Sequence, residues 1–199
     1  DREIVDLLFF PTGGGKTEAY LGLAAFTMVL RRLRHPGLRS CGVSVLMRYT
    51  LRLLTLDQLG RAAALMCALE LEREEDERLG SWPFEIGLWV GRAATPNRMG
   101  YKGYDGPGKD DTAYMRTNRY KRDSKRYSRP IPIENCPWCG TEFDRDSFRL
   151  TPNPNKPLNL EIRCADHTCD FSTDRALPIV AVDEPKPAPK PAAPAPKTP

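Results

Sequence analysis

The stretch Pro11-Thr12-Gly13-Gly14-Gly15-Lys16-Thr17 constrains this chain most, because of what flanks it. An apolar run precedes it (Ile4, Val5, Leu7, Leu8, Phe9, Phe10) and an apolar helical pattern follows. Strand, glycine turn and helix, in that order, are the setting of a phosphate-binding loop. Without side chains in the way, successive backbone N–H groups can converge on phosphate oxygens, and φ can turn positive. A helix starting near Thr17 would aim the positive end of its dipole at the same anion. Lys16 would reach the β- and γ-phosphates and stabilise charge on the transferred phosphoryl group, while the Thr17 hydroxyl would ligate Mg²⁺. Thr12, Gly13, Gly14, Gly15, Lys16 and Thr17 therefore form the expected ATP site, with Lys16 as its catalytic side chain. The full loop pattern has a glycine where this chain carries Phe10.

The pattern downstream alternates strand and helix. The loop should lead into a helix from about Thr17 to Arg34, closed by His35-Pro36-Gly37. Its apolar members Tyr20, Leu21, Leu23, Ala24, Phe26, Met28 and Leu30 cover much of its surface, which predicts burial against a sheet. Residues 42–48 read as a second strand, and a long helix is expected from about Leu53 to Leu79. The charged run Glu72–Arg78 reads as the solvated end of that helix. Glu85–Val90 reads as a third strand, so a parallel α/β sheet is expected. Cys41 and Cys67 fall in apolar patterns and read as core.

From Gly91 to Arg129 no apolar period survives, and the segment reads as a long loop. Residues 92–129 hold eleven Lys/Arg against four Asp, an excess above the +4 of the whole chain. Tyr101, Tyr104, Tyr114, Tyr120 and Tyr127 are interleaved with these charges. Basic groups neutralise phosphates and aromatic rings stack on bases, so this composition suits a single-stranded nucleic acid. A solubilising insertion has the same composition, and both readings stand.

Four cysteines form the second motif. Cys136 and Cys139 are spaced C-x2-C with Pro137, Trp138 and Gly140 shaping a tight knuckle. Cys164 and Cys169, spaced C-x4-C, follow after 24 residues. Four thiolates in two close pairs are the ligand set of a closed structural Zn²⁺ site, which leaves no open position for catalysis. An iron–sulfur cluster uses the same ligands, and His167 is a potential substitute for one of them. Phe143, Phe148, Leu150, Leu158, Leu160 and Ile162 between the pairs are few for an independent core, so the metal is expected to supply much of the stability.

Composition narrows the class. Six cysteines without a leader pattern suit a reducing compartment, and a cytoplasmic location is expected. No apolar run is long enough for a membrane helix. The chain opens on Asp1 at the edge of an apolar run and reads as a piece of something longer. Its end, 184–199, is a Pro/Ala/Lys tail expected to be extended and flexible.

Several of these blocks together resemble one family. Phe9–Gly22, Val45–Thr55 leading to Gln58, Ile86–Gly91, the Cys-Pro-Trp-Cys-Gly knuckle and Leu177–Val180 occur in the order found in helicase-like superfamily 2 proteins of prokaryotes. The similarity is greatest to the helicase component of DISARM anti-phage systems, and runs from about residue 4 to residue 184. It implies a partial RecA-like domain over 1–130, binding ATP and Mg²⁺ and tracking along nucleic acid, DNA ahead of RNA. A Zn²⁺-binding insertion over 131–175 and a return strand over 176–183 would follow. Thr50 and Arg52 would then lie near a sugar-phosphate backbone, and other defence-system subunits would be partners. Ile179-Val-Ala-Val-Asp183-Glu184 mimics the second helicase motif, although in the family the true motif lies further on. No second motor domain or arginine finger is present, so this portion alone is expected to hydrolyse ATP poorly. The rival reading is a non-enzymatic, zinc-containing nucleic-acid binding module.

Overall fold

The computed structural model describes residues 15–48, 52–88 and 95–182. Helix α1 (Lys16–Arg34) starts directly after Gly15, whose φ of 77° lies in the left-handed region that disfavours any side chain. The Gly15 carbonyl accepts the first helical bond, from Ala19 N–H at 3.0 Å. At the other end the His35 N–H donates to Arg31 at 3.0 Å, and Pro36 follows. Helix α2 (Arg52–Glu75) packs against α1. Ala25, Met28 and Val29 of α1 meet a cluster of Met66, Leu69, Leu79 and Phe84. Buried Arg32 fastens the same contact, donating to the Pro83 carbonyl at 3.1 Å with its guanidinium 4.7 Å from the Phe84 ring centroid.

Two expectations change here. Helix α1 is not largely buried: Tyr20, Leu23 and Phe26 are 43%, 53% and 62% exposed, since only one face of the helix meets a partner among the described residues. Residues 42–48 form no strand ladder among the described residues. A strand requires a hydrogen-bonded neighbour, and the apolar run 4–10 lies outside the described residues. The segment is instead tied to α1 by Arg31, which donates to the Cys41 carbonyl at 2.7 Å and the Val43 carbonyl at 3.0 Å. Of the third expected strand, β1 (Ile86–Gly87) is the part laddered among the described residues, and 89–90 lie outside them.

The segment read as a long loop contains structure of its own. Helix α3 (Ala113–Arg122) is capped by Thr112, whose hydroxyl accepts from Met115 N–H at 3.2 Å. Its polar composition hides a short inward stripe of Ala113, Thr117 and Tyr120, all buried. Tyr120 meets Phe148 edge to face at 5.5 Å between centroids. The tyrosines are thus only partly available to a ligand, because Tyr120 lies in the core and Tyr114 packs against it.

Strands β2 (Phe148–Thr151) and β3 (Asn159–Ile162) pair antiparallel, Phe148 opposite Ile162 and Leu150 opposite Leu160. All four side chains face inward. Strand β4 (Ile179–Val180) then pairs parallel with β1, Ile86 opposite Ile179, and this small parallel sheet joins the two parts of the chain. The main core spans what the sequence suggested were separate units: Tyr120 of α3, Cys67 of α2, Phe143, Phe148, Leu160, Phe171, Leu177 and Val182 are one cluster. Leu158, expected inside, is 54% exposed.

Candidate metal centre

The cysteine quartet is assembled by two knuckles at the edge of this core. In the first, Asn135 bridges to Glu142 across the turn, and Cys136 N–H donates to the Thr141 carbonyl at 2.8 Å. Gly140 N–H closes the turn on the Cys136 carbonyl at 2.9 Å, with a φ of 82° that only glycine adopts without strain. In the second, Cys164 N–H donates to the Phe171 carbonyl at 2.7 Å, and Asp166 caps the turn by accepting from Thr168 N–H at 2.8 Å. Asp166 N–H also points at the Cys164 sulfur, at 3.4 Å. Trp138 Nε1 donates to Asp170 at 2.8 Å, and its ring meets Phe171 edge to face, so the two knuckles are latched together.

The four Sγ atoms of Cys136, Cys139, Cys164 and Cys169 all lie within 4.8 Å of one another. Cys139 and Cys164 are 3.4 Å apart, and Cys136 and Cys169 are 4.0 Å apart. A tetrahedral Zn²⁺ with Zn–S near 2.3 Å places its sulfurs about 3.8 Å from each other, so the set fits one such ion. The thiolates of an iron–sulfur cluster hold separate irons and stand further apart, so convergence on one point favours a single ion. His167 is not part of the quartet.

Burial pushes the Cys136 thiol up to about 12 and raises Cys164 as well. At Cys139, the exposed member, burial also raises the value, but contacts with Thr141, Cys164 and Cys169 outweigh it and leave it at about 7. Buried thiols resist ionisation on their own, and a divalent cation supplies the countercharge that lets them release their protons. Cys67, fully buried beside this cluster in α2, is pushed up to about 12 by burial and by Cys169. It remains a core thiol, as its apolar surroundings in the sequence suggested.

The phosphate-loop expectation is only partly covered. Gly15, Lys16 and Thr17 stand at the start of α1, with Lys16 exposed. Thr12, Gly13 and Gly14 lie outside the described residues, as do Thr50, Gly91, Asp183, Glu184 and the remainder of the tail. Arg52 begins α2. No signal in the sequence marked Asp166, Asp170 or Thr141 as supports of the metal centre, because their roles depend on which residues the knuckles bring beside them.

No protein-family model matches the chain. It is 37% identical over 92% of its length to the DISARM protein DrmA of Bacillus paralicheniformis, and it spans 16% of that protein's length. The chain is thus related to a DISARM component along nearly all of its own sequence. No helix among the described residues is long and apolar enough to cross a membrane.

Proposed function

We propose that this chain is the ATP-binding portion of a superfamily 2 DNA helicase or translocase that serves anti-phage defence. The defence part of the reading is carried by the 37% identity to the DISARM protein DrmA over 92% of the chain, and the ATP-binding part by the glycine loop before α1. In this reading the amides of Gly13–Gly15 cradle the phosphates, Lys16 offsets their charge, and Thr17 holds Mg²⁺. Gly15 in the left-handed region at the N-terminus of α1, with Lys16 exposed beside it, supports the reading. The Zn²⁺ held by the four cysteines has a structural part, since a closed Cys₄ set leaves no position for substrate.

Calorimetry with Mg·ATP on the folded, zinc-loaded chain tests this. Binding heat is expected for the parent chain, and Lys16→Ala should weaken affinity about tenfold or more, the loss of one charged hydrogen bond to phosphate. Absence of heat from the parent chain would sink the motor reading and leave the non-enzymatic zinc module in its place.

A further inference from the structure

The basic excess between 92 and 129 divides in the fold. Lys109, Arg116, Arg119 and Arg129 each face a carboxylate, of Asp105, Asp111, Asp110 and Glu142 respectively. Lys121, Arg122, Lys125 and Arg126 face none among the described residues, and they crowd at the C-terminal end of α3. Asp123 lies among them, but its carboxylate is turned to the backbone, accepting from Lys125 N–H at 3.1 Å and Arg126 N–H at 3.2 Å. Tyr127 N–H donates back to the Asp123 carbonyl at 3.1 Å, so the turn is fixed. The guanidinium carbons of Arg122 and Arg126 stand 5.8 Å and 5.5 Å from the Tyr127 ring centroid.

A cleft of about 630 Å³ opens beside this turn, and both Tyr127 and Phe143 line it. Its walls also carry Glu142, Asp144 and Asp146, together with Arg145 and with Arg129, which pairs with Glu142. The carboxylates outnumber the arginines by one there, so the cleft offers a phosphate no net positive charge, and an anionic chain would follow the basic rim and leave an uncharged group for the cleft. A helix C-terminus favours one or two cations, at about 0.3–1 kcal/mol each. Four cations within six residues repel one another, and the dipole gives no reason for a tyrosine ring beside two of them. A phosphodiester backbone relieves that repulsion, and the ring together with its guanidinium planes offers a stacking surface for a base.

We propose that Arg122 and Arg126 beside the Tyr127 ring, with Lys121 and Lys125 next to them in the chain, hold the backbone of a single-stranded nucleic acid, with one base of the strand in the adjoining cleft. This names where the translocase proposed above grips its strand, and rests on that reading. It also moves the expected contact from the whole segment 91–129 to its last turn.

The test is fluorescence anisotropy of the full zinc-loaded chain with a labelled oligothymidine of about 16 nucleotides, across a salt series and without nucleotide. R122Q/K125Q/R126Q should lower affinity about tenfold or more and make the log–log salt slope shallower by about 2, near 0.7 for each phosphate that is no longer neutralised. Y127L should weaken binding about tenfold with little change in slope, as expected when a base loses the ring it stacks on. R34Q/R39Q, exposed cations remote from this turn, should bind like the parent. Circular dichroism and zinc content verify folding, and if the triple variant fails them, R126Q alone should shift the slope by about 0.7. Unchanged affinity and slope in a folded variant overturn the proposal, as does a parent chain that binds no strand. Displacement by poly-glutamate as effective as by unlabelled strand also overturns it, and assigns the patch to an acidic polypeptide. Because nucleotide is absent, failure here leaves the Mg·ATP result standing.

Discussion

Glu70 is the one carboxylate buried among the described residues, and three hydrogen bonds account for it. It accepts from Arg73 Nε at 2.9 Å, from Arg73 Nη2 at 2.7 Å, and from Phe84 N–H at 2.9 Å. Arg73 continues to the Gly80 carbonyl at 3.2 Å, so one ion pair fixes the chain where it leaves α2. The charged run is therefore not simply a solvated helix end: Glu74 also pairs with Arg175, far along the sequence. Glu70→Ala should destabilise the protein by about 3 kcal/mol in chemical denaturation, since it strands a part-buried guanidinium and a backbone donor. Cys67 makes a second case at this scale. Its folded value of about 12 lies above the ordinary 9.0, so the folded state retains a proton that the unfolded state loses. Its contribution is complete below pH 9.0 and is lost as pH rises toward 12, at up to about 1.4 kcal/mol per pH unit. Cys67→Ala should flatten that part of the stability–pH curve, and a curve of unchanged slope would show that other groups set it.

At the scale of elements, α3 shows how a polar segment becomes ordered. Its outward residues are mostly charged, and its place in the fold comes from Tyr120, Thr117 and Ala113 reaching the β2–β3 core. Tyr120→Ala should cost about 3–5 kcal/mol through the cavity left against Phe148, read as a lower thermal midpoint. Loss of the Thr112 cap should cost about 1 kcal/mol. Gly100 guards the same cap: a Cβ there would lie 2.6 Å from the Thr112 side chain, at a φ of +68°. Gly100→Ala should therefore destabilise more than Thr112→Ala, and the two thermal melts can be compared directly.

At the scale of the whole molecule, the metal centre and α2 share one core. Cys67 packs within the cluster that holds Cys136, Cys164 and Cys169, and Arg175 reaches Glu74 from just beyond the second knuckle. Removing the metal should leave buried thiols without countercharge and loosen more than 131–175. Hydrogen exchange after chelation should show weaker protection in β2, β3 and the second half of α2, while α1 changes less. A loss of protection confined to the span between Cys136 and Cys169 would mean that the lobe is energetically separate. Acidification should release the ion by the same logic, since protons compete for the thiolates.

The sequence by itself marked the four cysteines that converge in the fold as a set able to hold a metal, because C-x2-C and C-x4-C pairs state their chemistry through spacing alone. It also marked the start of α1, where glycine and helix pattern meet. Tertiary structure decided what composition could not. Whether a tyrosine is core or surface and whether a charged helix end is solvated depend on neighbours distant in the chain, and whether a lysine or arginine is paired depends on which carboxylate the turns bring to it. Arg119 and Arg122 read alike in sequence, yet one meets Asp110 and the other stands beside Tyr127 with no carboxylate among the described residues. The physical reason is that residue spacing along the chain states which ligands can converge, while burial and ion pairing are set by how turns and packing place side chains in space.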